Sequence, residues 1–261
     1  MKVVAVVAAR MASSRLPGKT LLPIQGRPML LRLLDRLSLC AGLDSIVVAT
    51  TDRPENRVIA KLCEREGFGC VVGNEPDDNV VARLKGAARA ASADAIVRIT
   101  PDCPLTDPDL VDEVVAAGVG VGWQMDWQLV YLSNIYPRRT YPDGLDVEFM
   151  TRELLEILPE AEDPTRWIWD NPERVHSGCH ALAEENYSAL GWTVDYADDL
   201  EFVRWVYGQL PEGFGWREVL ALKSGAPRGM EWRFDPRLGV KQELDPLKLA
   251  AFQDAHRRLT Y

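Results

Sequence analysis

The sequence of 261 residues is poor in cysteine and histidine and has no long apolar run. Its five cysteines are odd in number, scattered, and form no C-x-x-C pair, which argues against a disulfide framework and favours a reducing compartment. No run approaches the roughly 20 apolar residues that a membrane helix needs. The first apolar run stops at Arg10 without a cleavage-like site, so we interpret it as a buried strand and not as a signal peptide. We therefore expect a cytoplasmic protein with no membrane partner.

Positive charge is also scarce, because 30 lysines and arginines face 39 acidic residues and leave a net charge of −9. Nucleic acids and anionic membranes select for broad positive fields, so we expect no nucleic-acid partner and only local binding of any anion. The HSGCH segment at 176–180 invites a zinc interpretation. Only one further histidine, His256, and no cysteine pair could complete a tetrahedral site, so zinc is disfavoured.

Apolar, β-rich runs alternate with helical patterns through the first half of the chain. The predicted strands are 3–9, 46–50, 69–73 and 95–100, and the predicted helices are 28–40, 55–66, 80–91 and 109–117. This alternation is typical of an α/β protein with a doubly wound, mostly parallel sheet and helices on both faces. Ligands of such sheets bind at the carboxyl ends of the strands.

The second half of the chain is less regular. Its predicted elements are a strand at 129–134, a helix at 152–158, a strand ending at Asp195 in WTVD, and a helix at 198–210. GVGVG at 118–122 follows a helix and is interpreted as a helix stop and turn. We expect the tryptophans at 167 and 169 to lie in the core or an interface, and not to stack on a base.

One domain with a small inserted lobe accounts for this organisation. We assign residues 1–225 to the main domain, with the small lobe at about 135–190. Residues 226–261 form an extension whose amphipathic stretch, 247–259, predicts a docked terminal helix.

The acidic chain has a basic segment near its start, ARMASSRLPGKTLLPIQGRPML, and no acidic residue before Asp35. We call residues 10–22 the basic loop. Arginine and lysine side chains suit phosphate oxygens, and the hydroxyls of neighbouring serines add uncharged donors. The loop follows the first strand and could bind a triphosphate, although a solvated surface loop is the simpler alternative. The side chains concerned are Arg10, Ser13, Ser14, Arg15 and Lys19.

Aspartates follow two of the predicted strands. Asp102 comes after the fourth strand, in a loop fixed by prolines, and Asp195 ends the WTVD strand. Their carboxylates could share one Mg²⁺ held against phosphate oxygens, although sequence spacing alone does not show this. Asp107 and Asp109 are better explained as a helix cap and first turn around a proline.

Six segments in order resemble the cytidylyltransferases of the spore-coat polysaccharide biosynthesis F type, which are relatives of the enzymes that make CMP-ulosonic and CMP-sialic acids. The resemblance runs from about residue 2 to about residue 222. Its segments are ARMASSRLPGKTLLPIQGRPML, IVVATT, NEPDDNVVARL, VRITPDCPLTDP, YPDGLDVEFM and WTVDYADDLEFV. Pro101 stands where this family usually has glycine before the metal-binding aspartate.

The resemblance implies a glycosyltransferase-A-like nucleotidyltransferase fold and a set of site residues. By this implication Arg10, Arg15, Lys19 and Asp102 are catalytic, and Asp102 and Asp195 bind Mg²⁺. The nucleotide site is formed by Ala8, Ala9, Arg10, Ser13, Ser14, Arg15, Lys19, Asp77, Asp78, Arg83 and Thr100. The sugar site is formed by Tyr141, Asp143, Asp146 and Glu148.

The expected reaction is attack of a sugar hydroxyl on the α-phosphorus of CTP, giving a CMP-sugar and pyrophosphate, in surface polysaccharide or glycan biosynthesis. The acceptor would be an acidic sugar such as an ulosonic acid, and the resemblance implies a homodimer through the small lobe. Two alternatives stay open at this point: a glycosyltransferase that uses a nucleotide sugar, and a non-catalytic nucleotide-binding regulatory subunit.

Overall fold

A computed structural model describes residues 1–230 apart from residues 125, 127 and 180. The terminal helix predicted at 247–259 and nearly all of the extension predicted at 226–261 lie outside the described residues, as does His180. Within the described part of the chain, no helix is both long and apolar enough to cross a membrane.

The main sheet has seven strands in the order β5-β4-β1-β6-β8-β7-β9 within the described residues. The first four strands of this order run parallel, β8 is antiparallel to β6 and β7, and β9 is parallel to β7. Their bounds are β1 Val3–Ala8, β4 Ser45–Thr51, β5 Gly69–Gly73, β6 Ala95–Ile99, β7 Val130–Ser133, β8 Glu148–Thr151 and β9 His176–Cys179. The predicted mostly parallel α/β sheet is confirmed.

Helices cover both faces of this sheet, because consecutive residues of its strands are apolar and point to opposite faces. On β1, Val3, Ala5 and Val7 belong to one buried cluster, and Val4 and Val6 belong to the other. The first cluster is covered by α1 Met29–Leu37, α2 Arg57–Glu66, α4 Pro108–Gln124, α7 Ala197–Gln209 and α8 Trp216–Ala221. The second is covered by α3 Val80–Ala90, α5 Arg152–Ile157 and α6 Pro164–Asp170.

Among the elements that were not predicted is a short hairpin. β2 Pro23–Ile24 and β3 Arg27–Pro28 form it, and its two turn residues both have positive φ, as a type I′ turn requires.

Helix α6 was not predicted either. It begins after Asp163, whose side chain accepts a hydrogen bond from the Arg166 amide, and it buries Trp167. The predicted core position of that tryptophan is confirmed.

The helix stop predicted at GVGVG is wrong, since α4 continues through these residues to Gln124. The packing of α4 accounts for the first of these glycines, Gly118. A Cβ atom at this position would lie 2.4 Å from Cγ of Phe149 on β8. Glycine is unfavourable inside a helix by about 1 kcal/mol relative to alanine, and here it lets α4 pack directly on the sheet.

The strand predicted at WTVD is also wrong, although its alternating burial is real. Trp192 and Val194 are fully buried. Their amides donate to two different segments, to the carbonyl of Asp143 at 2.7 Å and to that of Asp102 at 2.9 Å. The segment is therefore an extended tie between two loops and not a strand of the sheet. HSGC, which we considered for zinc, forms strand β9.

Candidate active site

A cavity of about 350 Å³ lies where β1 and β6 end at their carboxyl termini. The basic loop forms one wall, and the loop after β6 forms another. Of the predicted nucleotide and catalytic residues, those that line the cavity are Ala8, Arg10, Ser13, Ser14, Arg15, Lys19, Asp78, Arg83, Thr100 and Asp102. Ala9 and Asp77 are buried and do not line it. Arg98 lines it but was not predicted from the sequence as a site residue.

Lys19 connects the basic loop with the two aspartates that the sequence analysis paired. Its Nζ donates to Asp102 Oδ2 at 2.8 Å, to Asp195 Oδ1 at 3.0 Å and to the carbonyl of Val194 at 2.7 Å. Three acceptors match the three protons of an ammonium group. Arg15 Nη2 is also 2.7 Å from Asp195 Oδ1. Two carboxylates 93 residues apart in sequence are thus brought to one point.

The donor chemistry of this pair fits a magnesium ion. Both side chains offer hard carboxylate oxygens, and the shared contact with Nζ brings them within reach of one small cation. In the part of the chain that the structure describes, no three His, Cys, Asp or Glu side chains form a potential metal site. Mg²⁺ commonly takes only one or two protein carboxylates and completes its shell with water and substrate phosphates.

The loop after β6 holds Asp102 despite the proline before it. The amide of Cys103 donates to the Thr100 carbonyl at 3.3 Å, which closes a tight turn around Pro101. The thiol of Cys103 lies 2.9 Å from the Thr100 hydroxyl. Burial, followed by the charge of Asp102, raises the pKa of this thiol well above its usual value. The turn therefore contains a neutral thiol, and Asp102 reaches Lys19 with proline in place.

Arg83 forms the buried end of the cavity. Its side chain is 3% exposed, and Nη2 donates to the carbonyl of Asp77 at 2.9 Å. Among the described residues, no group accepts a hydrogen bond from its Nε or Nη1. Burial, and then the nearby charge of Arg10, lowers the pKa of Arg83. Buried donors without partners are rare, so these two atoms indicate room for a polar ligand.

The carboxylate of Asp77 points away from the cavity. It accepts hydrogen bonds from Asn56 Nδ2 at 3.0 Å and from the Thr51 hydroxyl. Asn56 Oδ1 accepts the amide of Met11, in the basic loop, at 2.8 Å. Thr51 and Asn56 were not predicted from the sequence as site residues. An asparagine at a helix start is typical of a cap, but the side chain of Asn56 makes no cap hydrogen bond to α2 and binds the basic loop instead.

The four predicted sugar-site residues lie outside the lining of this cavity. Tyr141 is buried with its ring edge-on to Trp216. Asp146 forms a two-point ion pair with Arg139, and Asp143 lies 3.4 Å from the same guanidinium. After burial and the charge of Asp102, the charge of Asp146, and then that of Asp143, also helps to raise the pKa of the buried Cys103 thiol in the loop after β6.

Glu148 is 2% exposed and belongs to a buried network on β8. Its carboxylate accepts hydrogen bonds from Thr165 Oγ1 at 2.6 Å and Tyr131 Oη at 2.9 Å, and it forms an ion pair with Arg98. Arg98 in turn lines the cavity. Glu148 therefore reaches the cavity only through the guanidinium that it holds.

Gly144 fixes the YPDG turn against the segment that leads to Asp195. Its φ of +109° is in the region that favours glycine, and a Cβ atom would lie 2.7 Å from the Thr193 amide nitrogen. On either side, the Asp143 amide donates to the carbonyl of Leu190 at 2.8 Å, and the Trp192 amide donates back to the carbonyl of Asp143 at 2.7 Å. The two segments are therefore tightly joined.

A glycosyltransferase that uses a nucleotide sugar more naturally carries a D-x-D metal motif at a strand end. A D-x-D occurs at residues 107–109, but it is part of a helix start. Asp107 Oδ1 accepts the amide of Leu110 at 3.0 Å, and its Oδ2 accepts the amide of Trp216 at 2.6 Å. The capping prediction is confirmed, and both carboxylate oxygens of Asp107 are engaged away from the cavity.

Three kinds of comparison with known proteins each find cytidylyltransferases similar to this chain. The family model described as cytidylyltransferase matches residues 4–118. A 3-deoxy-manno-octulosonate cytidylyltransferase of Acinetobacter baumannii (strain SDF) is 40% identical over 248 residues, covering 93% of this chain and 95% of the relative. The spore coat polysaccharide biosynthesis protein SpsF of Bacillus subtilis (strain 168) is 33% identical over 116 residues, 43% of this chain and 48% of that protein. A solved cytidylyltransferase from Leptospira borgpetersenii superposes with a TM-score of 0.75 at 26% identity, covering 94% of this chain and 99% of that chain.

Proposed function

Since the chain belongs to the cytidylyltransferase family and is a nucleotidyltransferase enzyme, we propose that it transfers CMP from CTP to the hydroxyl of an acidic sugar. Pyrophosphate is the second product, and the sugar nucleotide serves polysaccharide biosynthesis. The observation that carries the proposal is the cluster of Arg15, Lys19, Asp102 and Asp195 at the edge of the cavity.

The basic loop binds the triphosphate. Arg10, Arg15 and Lys19 neutralise its charge and hold the α-phosphorus in line with the acceptor, and such positioning supplies most of the rate in phosphoryl transfers. Asp102 and Asp195 would hold Mg²⁺, which when bound neutralises phosphate charge. Lys19, which is hydrogen bonded to both aspartates, needs only a side-chain rotation to donate to a phosphate oxygen next to them.

The nucleoside occupies the opposite end of the cavity. Ala8 ends β1, Ala9 follows it, and Thr100 follows β6. The small side chain of Ala8, which lines the cavity, lets a base approach the strand. Arg83 offers its two unpartnered donors to the base or ribose, with Asp78 beside it. Asp77 contributes through the groups it holds, since its carboxylate faces Asn56 and Thr51.

The acceptor lies against the YPDGLDVE segment. Asp143 and Asp146 are candidates for the base that takes the hydroxyl proton, and Arg139 is the cation between them. The Acinetobacter relative is named for a carboxylated sugar. A carboxylate of such an acceptor would compete with the two aspartates for Arg139, which is why an acidic sugar fits this end of the cleft.

The test measures pyrophosphate release in the presence of Mg²⁺. Each of CTP, UTP, GTP and ATP is combined in turn with 3-deoxy-manno-octulosonate and with each of a panel of other acidic sugars. We expect release with CTP and one sugar, and loss of release in Lys19→Ala and Asp102→Ala. Absence of both pyrophosphate release and CTP binding in calorimetry would overturn the proposal. CTP binding without release for any sugar would instead favour a regulatory subunit.

We also propose a cytoplasmic location and a homodimer. CTP is available in the cytoplasm, and the cytoplasm is a reducing compartment, in which thiols stay free. Cys40, Cys63, Cys70 and Cys103 are free thiols in the structure. Light scattering of the purified protein measures the oligomeric state directly, and a mass of one chain of 29.2 kDa would contradict the dimer.

A further inference from the structure

We propose that Asn56 and Asp77 are positioning residues, which together hold the basic loop in the shape that binds the triphosphate. The ligand named here rests on the proposed function, but the geometry of the loop does not. Neither side chain reaches the cavity, and Asn56 has not been assigned a role by the sequence or by the family resemblance.

Asn56 is fully buried between the sheet and the basic loop. Its amide group is used in two directions: Oδ1 accepts the Met11 amide at 2.8 Å, and Nδ2 donates to Asp77 Oδ1 at 3.0 Å and to Thr51 Oγ1 at 2.7 Å. The carboxylate of Asp77 fixes the orientation of that amide group, because only its nitrogen can donate to an acceptor. The oxygen must therefore face the loop.

Met11 is the residue on which the rest of the loop depends. Its amide is held by Asn56, and its carbonyl accepts the amide of Gly18 at 3.2 Å. The hydroxyl of Thr20 donates to the carbonyl of Arg10, the preceding residue, at 2.8 Å. Lys19 lies between these two tethered positions, so its place beside the metal-binding aspartates is set from the Met11 end.

Asp77 also acts through its main chain. Its carbonyl accepts Arg10 Nη1 at 3.2 Å and Arg83 Nη2 at 2.9 Å. One residue therefore orders a loop amide through its carboxylate and two cavity-lining guanidinium groups through its carbonyl. A displaced Asp77 would disturb both ends of the nucleotide site at once.

The decisive variants are Asn56→Asp, Asp77→Asn and the double variant Asn56→Asp/Asp77→Asn. Asn56→Asp places two carboxylates against each other where a donor met an acceptor. The double variant restores one donor and one acceptor with their direction reversed and still offers Met11 an oxygen. Asp77→Asn alone has the smaller effect, because the new amide can present its oxygen to Asn56.

The first readout is the CTP dissociation constant from calorimetry with Mg²⁺ present. We expect Asn56→Asp to weaken binding about tenfold, as the loss of a buried hydrogen bond would, and the double variant to recover most of this loss. Asn171→Asp is the control. Asn171 Nδ2 donates to the carbonyl of Trp167 at 2.8 Å at the end of α6, outside the lining of the cavity and outside the acceptor segment; its CTP affinity should stay that of the wild type.

The second readout needs no nucleotide. Amide hydrogen exchange of Met11 in the free protein should be about tenfold faster in Asn56→Asp and in the milder Asn56→Ala, and slow again in the double variant. Unchanged exchange at Met11 in the folded single variants, or no recovery in the double variant, would overturn the positioning role. If the wild type did not bind CTP, the proposed function would fail, and the exchange experiment would still decide the role of Asn56.

Discussion

The proposed nucleotide side and the proposed acceptor side of the cleft differ in the exposure and the pairing of their arginine side chains. On the nucleotide side Arg83 keeps two buried donors without partners among the described residues, and the Arg15 side chain is 52% exposed. On the acceptor side, Arg139 is paired with Asp146, and Arg98 with Glu148, in largely buried contacts. We therefore propose that the nucleotide side has donors available for a polyanion, whereas a sugar acceptor would have to exchange existing ion pairs, and that selectivity for the sugar arises from that exchange.

Breaking the most buried pair of the acceptor side should have the largest effect. Glu148→Gln leaves the Arg98 guanidinium without its counter-charge, and we expect the free energy of unfolding to fall by about 3–5 kcal/mol in urea denaturation. The exposed pair of Glu156 with Arg89 supplies the control, since Glu156→Gln should change stability by less than about 1 kcal/mol. Equal losses of stability in Glu148→Gln and Glu156→Gln would contradict the prediction that the buried ion pair stabilises the fold more than the exposed one does.

Removing the central cation of the nucleotide side should come next. Lys19→Ala removes the cation that Asp102 and Asp195 share and a donor to the phosphates, so we expect kcat to fall about 10²–10³-fold. The measurement is pyrophosphate release at saturating CTP, with the exposed Lys61→Ala as the charge-matched control. A loss confined to KM would mean that Lys19 binds CTP without acting on the transition state.

A smaller effect is expected at the buried end of the cavity. Arg83→Met keeps the length of the side chain but removes the donors, and we expect KM for CTP to rise about tenfold with little change in kcat. Arg57→Met, on the exposed side of α2, should leave both constants unchanged. Should KM for CTP remain at the wild-type value, the unpartnered donors of Arg83 do not serve the nucleotide.

The smallest effect is expected from the half-exposed contact on the acceptor side. Asp143→Asn removes a charge that lies 3.4 Å from Arg139, and such a contact contributes at most about 1 kcal/mol. We therefore expect KM for the sugar to change by less than about fivefold, and KM for CTP to stay constant. A large loss of kcat would instead identify Asp143 as the general base.

The first half of the fold could be predicted because its local and tertiary signals agree. The strands of the parallel half and helices α1 to α3 are confirmed within a few residues, since buried parallel strands appear as short apolar runs. The errors at 118–122 and at WTVD have tertiary causes. Gly118 is required by the Phe149 ring, and Trp192 and Val194 bond to two separate loops, neither of which local sequence reveals.

The site divides in a similar way. The basic loop and Asp102 could be placed from sequence because each follows a strand of the parallel sheet, where polar loops converge. Thr51 and Asn56 could not, because their importance depends on where one buried amide group points. Arg98 and Glu148 form their ion pair because β8 lies antiparallel next to β6. No local pattern in the second half of the sequence indicates this placement of β8.

The close approach at Gly144 has a thermodynamic consequence. Asp143 and Asp195 belong to two segments that share main-chain hydrogen bonds and leave no room for a side chain between them. A sugar that shifts the YPDG turn must therefore shift the support of Asp195, and a cation bound to Asp195 must resist or favour the same shift. In the proposed function, binding at the two places is therefore linked and the linkage is reciprocal: the factor by which the cation changes the affinity for the sugar is also the factor by which the sugar changes the affinity for the cation.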